Sequence, residues 1–316
     1  MTELEIILYL VGGLVMLFIG AEGLIRGSSN LAIKIGITPL VVGLTVVAFG
    51  TSTPELVVSL KAALLGNSSI SLGNVVGSNI ANIALILGVA AIIRPLDVHA
   101  KVIMREIPIM IGISLLLLLL LLDGELGFID GLVFVSGIIT YTFVNVWMAR
   151  KEKSPEVVKE FKEGLKSKLG IPVSIVLMIA GLGLLILGAN LFVQSAVAIA
   201  KMFNVSDAII GLTIVAIGTS LPELITSIVA AYKKESDIAI GNVVGSNIFN
   251  ILGILGITAL IIPISSAGIS YIDLGVMLIT AIILFPLSRS GFSISRMEGA
   301  LLLAGYAGYI YYLIPK

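Results

Sequence analysis

Cysteine is absent from the 316 residues, and histidine occurs once, at position 99. Without a thiol the chain can form neither a disulfide nor a thiolate metal site. One imidazole alone makes no zinc or copper centre of the usual kind. His99 sits in a charged connection and reads as a solvated side chain. Charge is scarce too: Asp, Glu, Lys and Arg make up 12% of the residues, and nineteen basic groups balance nineteen acidic ones. Globular domains carry about 25% charged residues. A neutral chain offers no electrostatic footprint for nucleic acid. No GxxxxGK[ST] loop is present, so nucleotide-driven pumping has no visible machinery. Nothing calls for a cofactor or for an obligatory protein partner.

What fills the chain instead is apolar. Hydrophobic residues account for 58% and the mean hydropathy is +1.16, which makes the lipid bilayer the expected surroundings. A spanning helix needs about 20 apolar residues. Runs of that kind are predicted at 4–25, 38–65, 70–93, 103–122 and 127–149, and again at 171–198, 206–231, 238–262, 270–288 and 297–314. The expected fold is an all-α membrane protein of ten transmembrane helices in two sets of five, multi-pass in the cell membrane. Residues 1–149 form the first set, 171–316 the second. Between them, 150–170 carries seven Lys/Arg and four Glu and reads as a short cytoplasmic linker. The opening "MTELEIILYL" is acidic where a signal peptide is basic. Placing both termini outside puts sixteen of the nineteen basic residues on the cytoplasmic side, as the positive-inside rule requires.

The two sets are copies. At an offset of 168 residues, positions 43–60 match 211–228 at twelve of eighteen places, and 73–88 match 241–256 at thirteen of sixteen. The repeat motifs span 43–88 and 211–256. An odd number of spans per copy makes the second enter the membrane from the opposite side. Inverted repeats place the substrate site near the bilayer midplane, where helices are interrupted.

The interruption is written in "GLTVVAFGTSTPE" (43–55) and "GLTIVAIGTSLPE" (211–223). A proline inside a helix removes one backbone hydrogen bond and pushes away the carbonyl four residues back. On that reading Pro54 frees the carbonyl of Gly50, and Pro222 that of Gly218. A cation would satisfy freed carbonyls that lipid cannot. Thr51, Glu55 and Ser59 share one face, as do Asn74, Ser78 and Asn82. The second copy supplies Thr219, Glu223, Ser227 and Asn242, Ser246, Asn250. All are oxygen donors, which suits hard cations such as Ca²⁺ and Na⁺. Only Glu55 and Glu223 put a carboxylate in mid-span, and together they would neutralise one divalent ion. An intramembrane carboxylate is a functional-site hypothesis by default. Helix packing explains Gly73/Gly77 and Gly241/Gly245 as well as function does. Glu22 is expected to pair with Arg26, four residues on.

On these residues the chain resembles the Ca²⁺:cation antiporter superfamily, and within it the prokaryotic sodium/calcium exchangers. The motifs that carry the resemblance are Gly50–Glu55 with Gly73–Asn82, and Gly218–Glu223 with Gly241–Asn250. The resemblance implies Na⁺ and Ca²⁺ as substrates and a diamond of four cation sites. Glu55 and Glu223 would lie at its centre, surrounded by Thr51, Ser52, Ser78, Asn82, Thr219, Ser220, Ser246 and Asn250, with the backbone carbonyls of Ala48 and Ala216 outermost. It also implies alternating access by sliding of the first helix of each half, and exchange of three Na⁺ for one Ca²⁺. Asn rather than Asp at 250 departs from the potassium-dependent relatives. A proton-coupled Ca²⁺ antiporter of the same fold, and a cation channel, remain as alternatives.

Overall fold

The structure, a computed structural model, describes residues 2–151, 169–202, 216–267 and 269–313. Most of the charged connection, 152–168, and the opening of the second motif, 211–215, lie outside the described residues. Helix α1 (Glu3–Ile35) starts at a reciprocal cap. Thr2 Oγ1 accepts from the Glu5 amide at 3.2 Å, and Glu5 Oε2 accepts from the Thr2 amide at 2.7 Å. It ends at Gly36, in the left-handed conformation at φ 73°, which glycine adopts without steric cost. Helices α2 (Pro39–Thr51) and α3 (Thr53–Leu64) are bent by 44° at the break between them. Helix α4 runs from Ser68–Ile80 through a π-helical turn, Ala81–Leu87, to Gly88–Ile93. Helices α5 (Val102–Asp123) and α6 (Phe128–Lys151) complete the first half.

The second half repeats this plan with α7 (Ile171–Met202), α8 (Ala216–Thr219), α9 (Leu221–Tyr232), α10 (Ser236–Ile261), α11 (Tyr271–Arg289) and α12 (Arg296–Leu313). Helix α10 carries a π-helical turn at Asn250–Leu255. Among the described residues seven helices are long and apolar enough to cross a membrane: α1, α4, α5, α6, α7, α10 and α11. The bent pair α2–α3, taken as one span, makes an eighth.

Helices α4 and α10 are the centre. Buried residues make up 72% and 83% of their apolar windows, against 22–33% in the other long spans. Neighbouring helices surround them, so most of their Ser, Asn and Gly residues face protein. Around them α1 and α7 lie antiparallel at near-backbone contact. A Cβ on Gly13 would meet the Gly188 carbonyl at 2.8 Å, and one on Gly20 the Gly181 carbonyl at 2.7 Å. The offset of 168 carries Gly13 onto Gly181 and Gly20 onto Gly188, so each half gives the other what it receives. Gly241 and Gly245 are packing glycines as well: a Cβ there would reach Leu40 O at 3.0 Å and Leu44 O at 2.6 Å.

Two small antiparallel ladders add β structure that an all-α reading omits. Strand β1 (Leu96–Asp97) pairs with β4 (Ser293–Ile294), and β2 (Glu125–Leu126) pairs with β3 (Ile264–Ser265). The same offset exchanges the two ladders, and each joins one half to the other. At the ends of the spans Glu22 pairs with Arg26 as expected, and also with Lys233. His99 is 65% exposed but not free of partners, because its Nε2 lies 3.2 Å from Asp237 Oδ1. A third carboxylate, Glu106, is also fully buried near the start of α5 and accepts from the Tyr141 hydroxyl at 2.7 Å. Its place near a helix end hid it from an inventory of mid-span charges.

Candidate functional site

The two prolines act differently from a mid-helix kink. The first half breaks at Ser52, at φ −81° and ψ 6°, and the second at Ser220, at φ −88° and ψ 8°. Pro54 and Pro222 then fall in the first turn of the new helices α3 and α9. There a missing N–H is one that no helix would satisfy. The break puts the carbonyl end of α2 next to the first turn of α3, with Glu55 in that turn. Helices α8 and α9 repeat the arrangement with Glu223. Facing half-helix ends of this kind supply both carbonyls and carboxylates.

The two breaks are tied across the halves. Ser52 Oγ donates to Glu223 Oε1 at 2.8 Å, and Ser220 Oγ donates to Glu55 Oε1 at 3.0 Å. Ser220 Oγ also lies 3.4 Å from Ser78 Oγ. Thr51 Oγ1 stands 3.0 Å from Asn242 Oδ1 and 3.1 Å from the Val47 carbonyl, and Thr219 stands against the Glu55 carboxylate. The Ala48 carbonyl takes the Ser52 amide at 3.0 Å. Ala216 opens α8. Asn82 donates to Asn247 at 2.9 Å and Asn250 to Asn79 at 3.0 Å. Ser246 is fully buried. Behind these, Asn74 bonds Ser59 and the Glu55 carbonyl at 2.9 and 3.3 Å, while Asn242 bonds Ser227 and the Glu223 carbonyl at 3.1 and 3.4 Å. Helix α3 is thereby fastened to α4, and α9 to α10.

One set of atoms stands out. Glu55 Oε2, Glu223 Oε2, Asn82 Oδ1, Asn250 Oδ1 and Ser246 Oγ are buried and have no hydrogen-bond partner in the protein. A buried unpaired oxygen is costly, and most buried polar groups are satisfied. Seven of the thirteen buried, unpaired side-chain oxygens and nitrogens among the described residues lie in the duplicated motif, Ser71 Oγ and Thr226 Oγ1 being the other two. A cation is an occupant that would accept the lone pairs of such oxygens. Among the described residues no group of three or more His, Cys, Asp or Glu side chains converges, so two carboxylates and neutral dipoles are what the site offers. Two residues that sequence reasoning left without a role, Asn79 and Asn247, touch this set. Their signal was available: both repeats keep "GSN".

Known proteins resemble the chain along nearly its whole length. The family model described as sodium/calcium exchanger protein matches residues 5–147 and 173–314. The chain is similar to the putative antiporter CaxA of Alkalimonas amylolytica, 39% identical over 314 residues and covering 98% of each chain. It is 34% identical to the sodium/calcium exchanger MaX1 of Methanosarcina acetivorans, over 96% of this chain and 97% of that one. Its fold matches the solved structure of the sodium-calcium exchanger NCX_Mj soaked with zero Na⁺ and Ca²⁺, with a TM-score of 0.86 and 33% identity over 99% of this chain and all of the other. The chain therefore belongs to the sodium/calcium exchanger protein family, as a multi-pass integral membrane antiporter of cations and not an enzyme.

Proposed function

We propose that this antiporter exchanges Na⁺ for Ca²⁺ across the cell membrane by alternating access. The observation that carries the reading is the set of buried oxygens without a protein partner on Glu55, Glu223, Asn82, Asn250 and Ser246. Ca²⁺ takes 6–8 oxygen ligands, carboxylates among them, and two carboxylates balance its charge. In this reading Glu55 and Glu223 hold Ca²⁺ centrally. Thr51, Ser52, Ser78, Asn82, Thr219, Ser220, Ser246 and Asn250, with the carbonyls of Ala48 and Ala216, complete the positions that Ca²⁺ and Na⁺ occupy in turn. MaX1 and NCX_Mj, both named as sodium/calcium exchangers, support the choice of ions. The chain crosses the membrane ten times, as inverted repeats 1–149 and 171–316 joined by the cytoplasmic linker 150–170, with both termini outside. The glycine-to-backbone packing of α1 on α7 suits a pair that slides as one body over the α4–α10 centre.

Charge fixes the electrical behaviour. With Ca²⁺ bound the two carboxylates are neutralised, and with three Na⁺ the site carries one positive charge. One elementary charge moved through the potential is worth about 2.3 kcal/mol per 100 mV. A compartment held negative therefore draws Na⁺ in and drives Ca²⁺ out. The test is ⁴⁵Ca²⁺ flux in proteoliposomes, with the voltage clamped by K⁺ and valinomycin. Flux should require Na⁺ on the opposite side and reverse at the potential set by three Na⁺ per Ca²⁺. Flux driven by a pH gradient without Na⁺ would make the protein a proton antiporter, and flux without any counter-ion a channel.

A further inference from the structure

Asn79 on α4 and Asn247 on α10 hold the same place in the two motifs, and both are buried. Asn79 Nδ2 donates to the Asn247 carbonyl at 3.3 Å, and Asn247 Nδ2 donates to the Asn79 carbonyl at 3.4 Å. Asn247 Nδ2 also lies 3.5 Å from Met110 Sδ on α5. A backbone carbonyl only accepts, so it dictates that the amide nitrogen of each side chain faces it. Each Oδ1 then has to look the other way. It meets an Nδ2 of the opposite helix: Asn250 donates to Asn79 at 3.0 Å, and Asn82 to Asn247 at 2.9 Å.

The orientation propagates one step further. An asparagine ends in one acceptor and one donor group, which a half-turn about the last side-chain bond exchanges. With Nδ2 engaged, Asn82 and Asn250 have Oδ1 left over, and among the described residues these are the two buried amide oxygens that find no partner in the protein. The reverse flip would set NH₂ groups in the same places and repel a cation. Neither Asn82 nor Asn250 contains anything that chooses between the flips. The choice comes from a backbone carbonyl two side chains away, across the contact of α4 with α10.

We infer that Asn79 and Asn247 are positioning residues: they fix the amide flip of Asn250 and Asn82, so that both present an oxygen to the transported cation. The inference rests on the ion-site reading above and adds two residues that do not touch an ion. A ligand competent in only a fraction of molecules weakens apparent affinity by that fraction.

A double-mutant cycle tests this, read as equilibrium ⁴⁵Ca²⁺ binding to the full chain. Serine at 250 keeps an oxygen but has no amide to turn. Asn79→Ala should weaken Ca²⁺ binding roughly ten-fold in the parent, the scale of one lost buried hydrogen bond, and cause no further loss in an Asn250→Ser background. Equal losses in both backgrounds would mark Asn79 as a packing residue and overturn the inference, as would parental affinity in Asn79→Ala. Volume-matched Asn79→Leu and the mirror cycle, Asn247→Ala with Asn82→Ser, run alongside in case the first variant does not fold. Additive losses in whichever variants fold overturn the inference equally. The reading beneath fails separately, if the parent binds no Ca²⁺ or if Glu55→Gln binds it as the parent does.

Discussion

Ser52 belongs to the first half of the chain and Glu223 to the second, yet the serine hydroxyl donates to the carboxylate at 2.8 Å. The mirror pair, Ser220 to Glu55, closes at 3.0 Å. Each carboxylate is therefore held by the other half. Glu55→Gln and Glu223→Gln should each abolish Ca²⁺ binding, since one remaining charge leaves a divalent ion half neutralised. Ser52→Ala should be milder. A hydrogen bond to a charged group is worth about 1.5–3 kcal/mol, so a ten- to hundredfold loss in Ca²⁺ affinity is expected. Calorimetric titration of folded protein distinguishes the two. Unchanged binding in either glutamine variant would remove that glutamate from the centre.

Neighbouring glycines on α1 give a sharp contrast. A Cβ on Gly13 would meet Gly188 O at 2.8 Å and Phe192 N at 2.9 Å, whereas one on Gly12 meets nothing within 4 Å. Gly13→Ala should destabilise by about 1–3 kcal/mol, the usual cost of overpacking. Gly12→Ala should be neutral or slightly stabilising through helix propensity. Thermal unfolding in detergent, followed by retention of monodisperse protein, compares them. Equal midpoints would mean that α1 and α7 part more easily than their packing indicates.

Inverted topology is open to a chemical test because the chain has no cysteine. Asn67 and Lys234 lie in exposed turns after α3 and α9. Asn67→Cys should react with an impermeant thiol reagent from outside the cell, and Lys234→Cys from inside alone. Labelling of both from one side would refute the inversion.

Asn250→Asp probes the charge of the site. Asn79 Oδ1 faces position 250 as an acceptor, so an aspartate there has to take up a proton or force Asn79 to turn over. Ca²⁺ transport should survive with a steeper dependence on pH or a new sensitivity to K⁺. Identical pH and K⁺ profiles in variant and parent would place residue 250 away from the ions.

Much of this was legible in the sequence because the chain states it twice. Two copies of a proline at one offset locate the helix breaks, and two copies of a glutamate and an asparagine mark the candidate site beside them. What stayed hidden depends on partners far along the chain. The role of Asn79 is set by a carbonyl at Asn247. The π-helical turns that carry Asn82 and Asn250 are flanked by residues with ordinary helical angles and leave no mark on composition. Strands of two residues are too short for alternation to show. Pro54 was recognised as a breaker, but whether it kinks one helix or starts another depends on the backbone of Ser52.

The exchanged ladders have a consequence for covalent continuity. Strand β1 is bonded to β4, β2 to β3, α1 lies on α7, and the two carboxylates are held crosswise. None of these contacts runs through residues 152–168. Cutting one peptide bond there removes no contact named above. Two polypeptides divided at one peptide bond within 152–168 should therefore assemble in one membrane into a stoichiometric pair, co-purify through a tag on either piece, and show the same cation flux as the intact chain. Each piece alone would expose half of every ladder and an α1 or α7 glycine face with nothing against it, and should be degraded.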